Sequence, residues 1–150
     1  MMEFRQIDAV NVPMELLLEA DPSVQAIQKY LIKSWCFVAQ QNENIVGACI
    51  AKNNQSGTCE IYNVSVHPNH QGQGVGSKLM QYALNELFAQ GIERIELGTG
   101  TFGYQLMFYQ RLGFRVDRVD KDYFLIHYPE PIFEMGIQHK DMLRLYIDSP

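Results

Sequence analysis

Basic residues are scarce in this chain. Twelve lysines and arginines stand against 17 aspartates and glutamates in 150 residues, a formal charge of −5 at pH 7. Neutralising a polyphosphate backbone takes clustered cations, so a dedicated nucleic-acid-binding module is not expected. Long apolar runs are also missing. The run Leu16-Leu17-Leu18 is ended by Glu19, far short of the roughly 20 apolar residues that span a bilayer, and no basic-then-apolar leader opens the sequence. A cytoplasmic protein with no membrane partner is the expectation. Cysteine is rare and odd in number: Cys36, Cys49 and Cys59 include no Cys-x-x-Cys pair, which excludes a disulfide framework and leaves them as small core filler. No metal site is expected either. His67 and His70 flank Pro68, which breaks any helical ligand pair, and His127 and His139 stand apart.

What remains is globular composition, 47% apolar and 19% charged, in a length that suits one domain around one core. No repeat, charge block or linker divides residues 1–150. Pro13 to Ala20 reads as helical, and a second helix is expected from Asp21-Pro22-Ser23 to about Lys33, with a cap-type residue and an early proline at its start. Trp35–Ala39, Ile45–Ala51 and Cys59–His67 read as strands. The polar turns between them, Asn42–Asn44 and Asn53–Gly57, are hairpin-length, so these strands pair antiparallel. From Gly74 to Gln90 the period lengthens: Val75, Leu79, Met80, Ala83, Leu84, Leu87 and Phe88 make one apolar stripe, ended by Gly91. A short strand Arg94–Leu97, a glycine-rich turn Gly98–Gly103, a helix to Leu112, a strand opening at Phe114-Arg115-Val116 and a last strand Met142–Ile147 complete a mixed α/β chain.

Chemistry concentrates where the third strand meets the long helix. Gly72, Gly74 and Gly76 alternate there, letting the backbone turn tightly and approach a ligand. The helix start adds N–H groups without partners and the positive end of the helix dipole, a combination that suits phosphate oxygens. Read alone, the stretch serves equally well as a connection that only turns. A Walker A loop is not matched, because Ser77 separates Gly76 from Lys78, and neither is the dinucleotide G-x-G-x-x-G fingerprint.

The pattern that is matched is Q/R-x-x-G-x-G/A, as Gln71-Gly72-Gln73-Gly74-Val75-Gly76. Here the chain resembles the GNAT superfamily, the GCN5-related N-acetyltransferases. Glu60–Pro68 resembles that family's fourth strand and its exit, and Phe108-Tyr109-Gln110-Arg111-Leu112-Gly113-Phe114 its late helix-to-strand signature. The resemblance covers about Phe37 to Phe114, and the tail Asp122–Ile132 is similar to an uncharacterised bacterial branch. It implies the GNAT fold, a mostly antiparallel mixed sheet with splayed strands and about four flanking helices. It also implies acetyl-CoA as co-substrate. The pantetheine would pair along Val64, Ser65 and Val66, and the pyrophosphate would rest on the amides of Gln71, Gly72, Gln73, Gly74, Val75, Gly76 and Ser77. The acceptor would be a small-molecule or peptide amine that attacks the thioester directly; homodimers are common in the family.

Tyr109 matches the position whose hydroxyl protonates the departing thiolate, although a helical tyrosine beside Phe108 also reads as core. An alkylammonium must lose a proton before it attacks. Glu60 and Glu96 are the candidate carboxylates for that step, and both also read as solvated strand residues. On a regular strand Glu60 would share a face with Tyr62 and Val64; a bulge would change that. Many family members carry asparagine seven residues before the tyrosine, where this chain has Phe102. Glu130 and Glu134, before the last strand, hint at a cationic acceptor. Two rival readings stay open: an acyl-CoA-binding sensor without turnover, and a nucleotide-binding domain using the same glycines.

Overall fold

A computed structural model describes residues 1–55 and 57–150; Ser56, within the turn expected at Asn53–Gly57, lies outside them. Seven strands form one sheet in the order β1-β2-β3-β4-β5-β9-β6: β1 (Met2–Ile7), β2 (Trp35–Gln41), β3 (Asn44–Gln55), β4 (Thr58–Val66), β5 (Arg94–Gly100), β6 (Arg115–Asp120) and β9 (Met142–Asp148). Two short strands, β7 (Phe133–Glu134) and β8 (Ile137–Gln138), make a separate hairpin. Within the large sheet all pairs are antiparallel except β4 with β5. That exception follows from α3 (Val75–Ala89), the crossover helix between these two strands.

The central strands read as nearly unbroken apolar runs because both of their faces are covered. On one face Leu79, Met80, Ala83 and Leu87 of α3 pack against Phe37, Cys49 and Ile61. On the other, α1 (Met14–Leu17) and α2 (Val24–Leu31) bring Leu16, Leu17 and Ile27 against Cys36, Val38 and Ile50. Each leucine, isoleucine, valine, methionine or phenylalanine among them contributes about 1.5–3 kcal/mol when fully buried. The two remaining helices are α4 (Tyr104–Arg111) and α5 (Tyr123–His127), so five α-helices flank the sheet where about four were expected.

Differences from the sequence reading have local causes. Leu18 caps α1 early, and α2 starts at Val24, where the Ser23 hydroxyl accepts from the Ala26 amide at 3.1 Å. Strand β5 runs on through Gly98–Gly100, expected as a turn, because β9 pairs with it as far as Gly100↔Met142. A Cβ at Gly98 would overlap the Met142 side chain, and one at Gly100 would overlap the His139 ring. Close approach is the reason for these two glycines. The edge strands β1 and β6 alternate or expose charged residues, as protected edges do.

The register of β4 positions the site. Ile50 pairs with Asn63 and Ala51 with Ile61, so Tyr62 is an extra, bulged residue. Before the bulge, Cys59 and Ile61 face α3; after it, Val64 does, and Asn63 turns toward α1 and α2. Glu60 therefore shares a face with Tyr62, as the regular count has it, but not with Val64. Parallel pairing of β4 with β5 stops at Ile61↔Leu97. Beyond that point the strands splay, and the β4 edge from Tyr62 to Val66 is open on its β5 side.

Candidate active site

Two clefts open from the splay and share Ala20 and Gln105 in their walls. The first, of about 610 Å³, runs along Val64, Ser65 and Val66 and past the glycine loop to α4. Gly72 and Gly74 sit at φ 75° and 82°, left-handed backbone that a side chain disfavours, with open space around each. Gly74 caps α3 with no side-chain acceptor, and the first turn holds no acidic residue. The amides of Val75, Gly76 and Ser77 therefore face the cleft without a capping group and with the positive end of a 15-residue helix behind them. Gly76 has ordinary backbone, and a Cβ there would make ordinary van der Waals contact, 3.5 Å from Phe108 and Val66. Gln71 folds back so that its Nε2 donates to the Val66 carbonyl at 2.9 Å, fixing the loop to the end of β4.

Of the residues anticipated for the cofactor, Val64, Ser65, Val66, Gln71, Gly72, Gly74, Val75, Gly76 and Ser77 line this cleft. Gln73 does not; its side-chain amide reaches the Asn69 carbonyl instead. The set fits a pyrophosphate and an extended pantetheine: uncapped amides at one end and an open strand edge at the other.

Tyr109 lines the same cleft and is only 7% exposed. Its ring packs edge-on against Phe108 and Phe114. Burial pushes its phenol well above the usual tyrosine range, and nearby Cys49 adds to the shift, so the hydroxyl keeps its proton across neutral pH.

The second cleft, about 770 Å³, lies between the α1–α2 loop, Glu60–Tyr62 of β4, the C-terminal end of β5, and the segment from α5 to β9. Glu60 lines it. Arg144 holds that carboxylate by two bonds, Nη2 to Oε1 at 2.9 Å and Nη1 to Oε2 at 3.1 Å, and Asn54 donates to Oε1 at 3.1 Å. Glu96 lines neither cleft; it accepts from Arg94 Nε at 2.7 Å and lies 3.8 Å from Arg144. Phe102, where the family often has asparagine, stacks on His139 at 4.2 Å between ring centres. His139 Nε2 meets Glu134 Oε1 at 2.8 Å, so Glu134 lines the cleft while Glu130 does not.

Several residues of this wall escape a sequence reading. Asp21 carries an N-terminal signal for α2 and is read only as such. In the structure its carboxylate, in a residue 6% exposed, also accepts from the hydroxyls of Tyr30 at 3.1 Å and Tyr128 at 3.2 Å. Asn63 donates to Tyr30 and to the Leu17 carbonyl, and Ser65 donates to Asn63. A buried polar chain thus links the wall of the second cleft to the β4 edge. Burial raises the phenols of Tyr30 and Tyr128 strongly; the Asp21 charge adds to both, and the Asn63 bond opposes it at Tyr30. Tyr128 lies 107 residues from Asp21, beyond any spacing rule.

Comparison with known proteins agrees with this geometry. The profile of the Acetyltransferase (GNAT) family matches residues 9–114. A Bacillus subtilis protein described as the uncharacterized N-acetyltransferase YvbK is 40% identical over 135 residues, covering 89% of this chain and 87% of that one. A solved structure described as an IAA acetyltransferase from Bacillus cereus superposes with a TM-score of 0.93 at 36% identity, covering 99% of this chain and 100% of that one. A GNAT family acetyltransferase from Elizabethkingia anophelis, solved with acetyl-CoA bound, gives 0.93 at 33% identity and covers 99% and 98%. Among the described residues no helix is long and apolar enough to cross a membrane.

Proposed function

The chain belongs to the acetyltransferase (GNAT) family, and from that premise we propose that it moves the acetyl group of acetyl-CoA to a primary amine by direct attack in a ternary complex. One observation carries the reading: the uncapped start of α3, the open β4 edge and the Tyr109 side chain all face a single cleft. The amides of Val75–Ser77 hold the pyrophosphate, and the edge from Val64 to Val66 holds the pantetheine and polarises the thioester carbonyl with a backbone N–H.

The amine enters through the second cleft and meets the thioester near Ala20 and Gln105, where the two clefts join. An alkylammonium sheds one proton before attack; Glu60, on the acceptor side, is the carboxylate assigned to receive it, and Glu96 takes no step. The C–N bond forms as the C–S bond breaks. Sulfur takes the Tyr109 proton, and the phenolate is restored by the proton that the nitrogen loses as the amide forms. Burial holds the Tyr109 phenol protonated, so its proton moves only as charge develops on sulfur, and the proton released by nitrogen returns the phenolate to phenol.

Measuring free CoA released from acetyl-CoA with a panel of primary amines tests the reading. Amine-dependent release with a matching N-acetyl product is expected. Tight acetyl-CoA binding without release on any amine would instead mark a sensor.

A further inference from the structure

Three carboxylates line the acceptor cleft, and they differ in what faces them. Glu60 is paired with Arg144, and Glu134 with His139. Asp21, the most buried of the three, has no cation within salt-bridge distance among the described residues. The wall's lysines, exposed Lys29 and half-buried Lys52, do not reach it. Its partners are neutral donors only: the Ser23 amide and the Tyr128 hydroxyl on Oδ1, and the Tyr30 hydroxyl on Oδ2. A carboxylate offers about four acceptor sites, so one remains, on Oδ2. Burying an ionised carboxylate without a counter-charge is costly, and a bound cation would relieve that cost.

Two more polar atoms in the same wall, Thr99 Oγ1 and His139 Nδ1, are buried with no partner. Both atoms can accept a hydrogen bond, Thr99 through its hydroxyl lone pairs and His139 through Nδ1 in the tautomer that donates Nε2–H to Glu134. Aromatic rings surround them. Tyr30 stacks on Tyr62 at 5.1 Å, and Tyr123, Phe124 and Tyr128 continue the surface. Ring faces favour cations, and their bodies favour an apolar chain.

We propose that Asp21 is the docking residue for the acceptor's ammonium group, so that the second cleft selects primary alkylammonium ions carrying an apolar body over neutral molecules of the same shape. Asp21 follows Ala20, which both clefts share, and this places the docked nitrogen on the thioester side of the cleft. The assignment rests on the acetyl-transfer reading, because it treats the second cleft as the acceptor's. Asp21 here binds and orients; the proton steps stay with Glu60 and Tyr109.

The test uses protein saturated with CoA, which cannot turn over, titrated with n-butylammonium chloride or n-butanol and followed by nuclear magnetic resonance. Wild type should bind the ammonium at least tenfold tighter than the alcohol, as a charge-assisted bond would give, with the largest shifts at Asp21, Tyr30 and Tyr128. Asp21→Asn should erase that preference. Tyr128→Phe keeps the ring and the carboxylate but frees an acceptor site, so it should bind the ammonium more tightly than wild type. This second variant also carries the test if Asp21→Asn does not fold. Equal binding of the two probes, a preference that survives in Asp21→Asn, or weaker ammonium binding in Tyr128→Phe would each overturn the assignment. Failure to bind CoA at the outset would instead overturn the acetyl-transfer reading.

Discussion

The two clefts are built by different means. The cofactor cleft is largely backbone: an open strand edge, two left-handed glycines and the bare start of α3, all within Val64–Ser77. The second cleft is largely side chain, and two of its key contacts join distant positions, Asp21 with Tyr128 and Glu60 with Arg144. Backbone devices need particular residues at fixed short spacing, so they leave a motif. Side-chain walls need only complementary groups that the fold brings together.

If that contrast is right, substitutions in the two clefts should fail in different ways. The largest effect is expected at their junction with chemistry. Tyr109→Phe keeps the packing against Phe108 and Phe114 but removes the proton, so kcat should fall on the order of 10²-fold with acetyl-CoA affinity nearly unchanged. Steady-state kinetics with direct acetyl-CoA titration checks this, and lost affinity would make Tyr109 a packing residue. The raised phenol also has a sign: Tyr109 stays protonated below and through its ordinary range, so no loss of rate up to about pH 10 should trace to it.

Next comes a side-chain failure. Arg144→Met strands the carboxylate of Glu60, with the pair's side chains 12% and 15% exposed. Stability should drop by about 2 kcal/mol, a fall in Tm of about 4–8 °C, while acetyl-CoA binding per folded molecule holds. Calorimetry that finds Tm unchanged would remove the pair from the wall's support. Gly74→Asp tests the backbone device instead. It sets a negative charge and a strained residue where the phosphates would lie, and acetyl-CoA affinity should fall at least tenfold, above about 1.4 kcal/mol. The smallest effect belongs to Gly76→Ala. Its backbone is ordinary and its Cβ would make only van der Waals contacts, so stability should change by less than about 0.5 kcal/mol in chemical denaturation.

The same division explains what the sequence made legible. Strands β2 to β4 and helix α3 follow from apolar runs and one clear stripe, because their faces are buried. The edge strand β1 and helix α5 go unread: β1 alternates with exposed charges, and the five residues of α5 have no buried side chain to set a period. Gly98–Gly100 reads as a turn because glycine signals both turning and close packing, and only the pairing with β9 distinguishes them. Tyr109 and the glycine loop were recognisable from a motif. Asp21 was not, since its hydrogen bonds to tyrosines 9 and 107 residues away exist only in the fold.

The central claim is that the cleft beside α3 is made for acetyl-CoA. Thermal unfolding of wild type and Gly74→Asp with acetyl-CoA, ATP or NAD tests it most directly. At 100 times its Kd a ligand stabilises by about 2.7 kcal/mol. Acetyl-CoA alone should raise the wild-type Tm, by about 5–11 °C, and the rise should shrink in Gly74→Asp. A rise of equal size with ATP or NAD, or none with acetyl-CoA, would contradict the account.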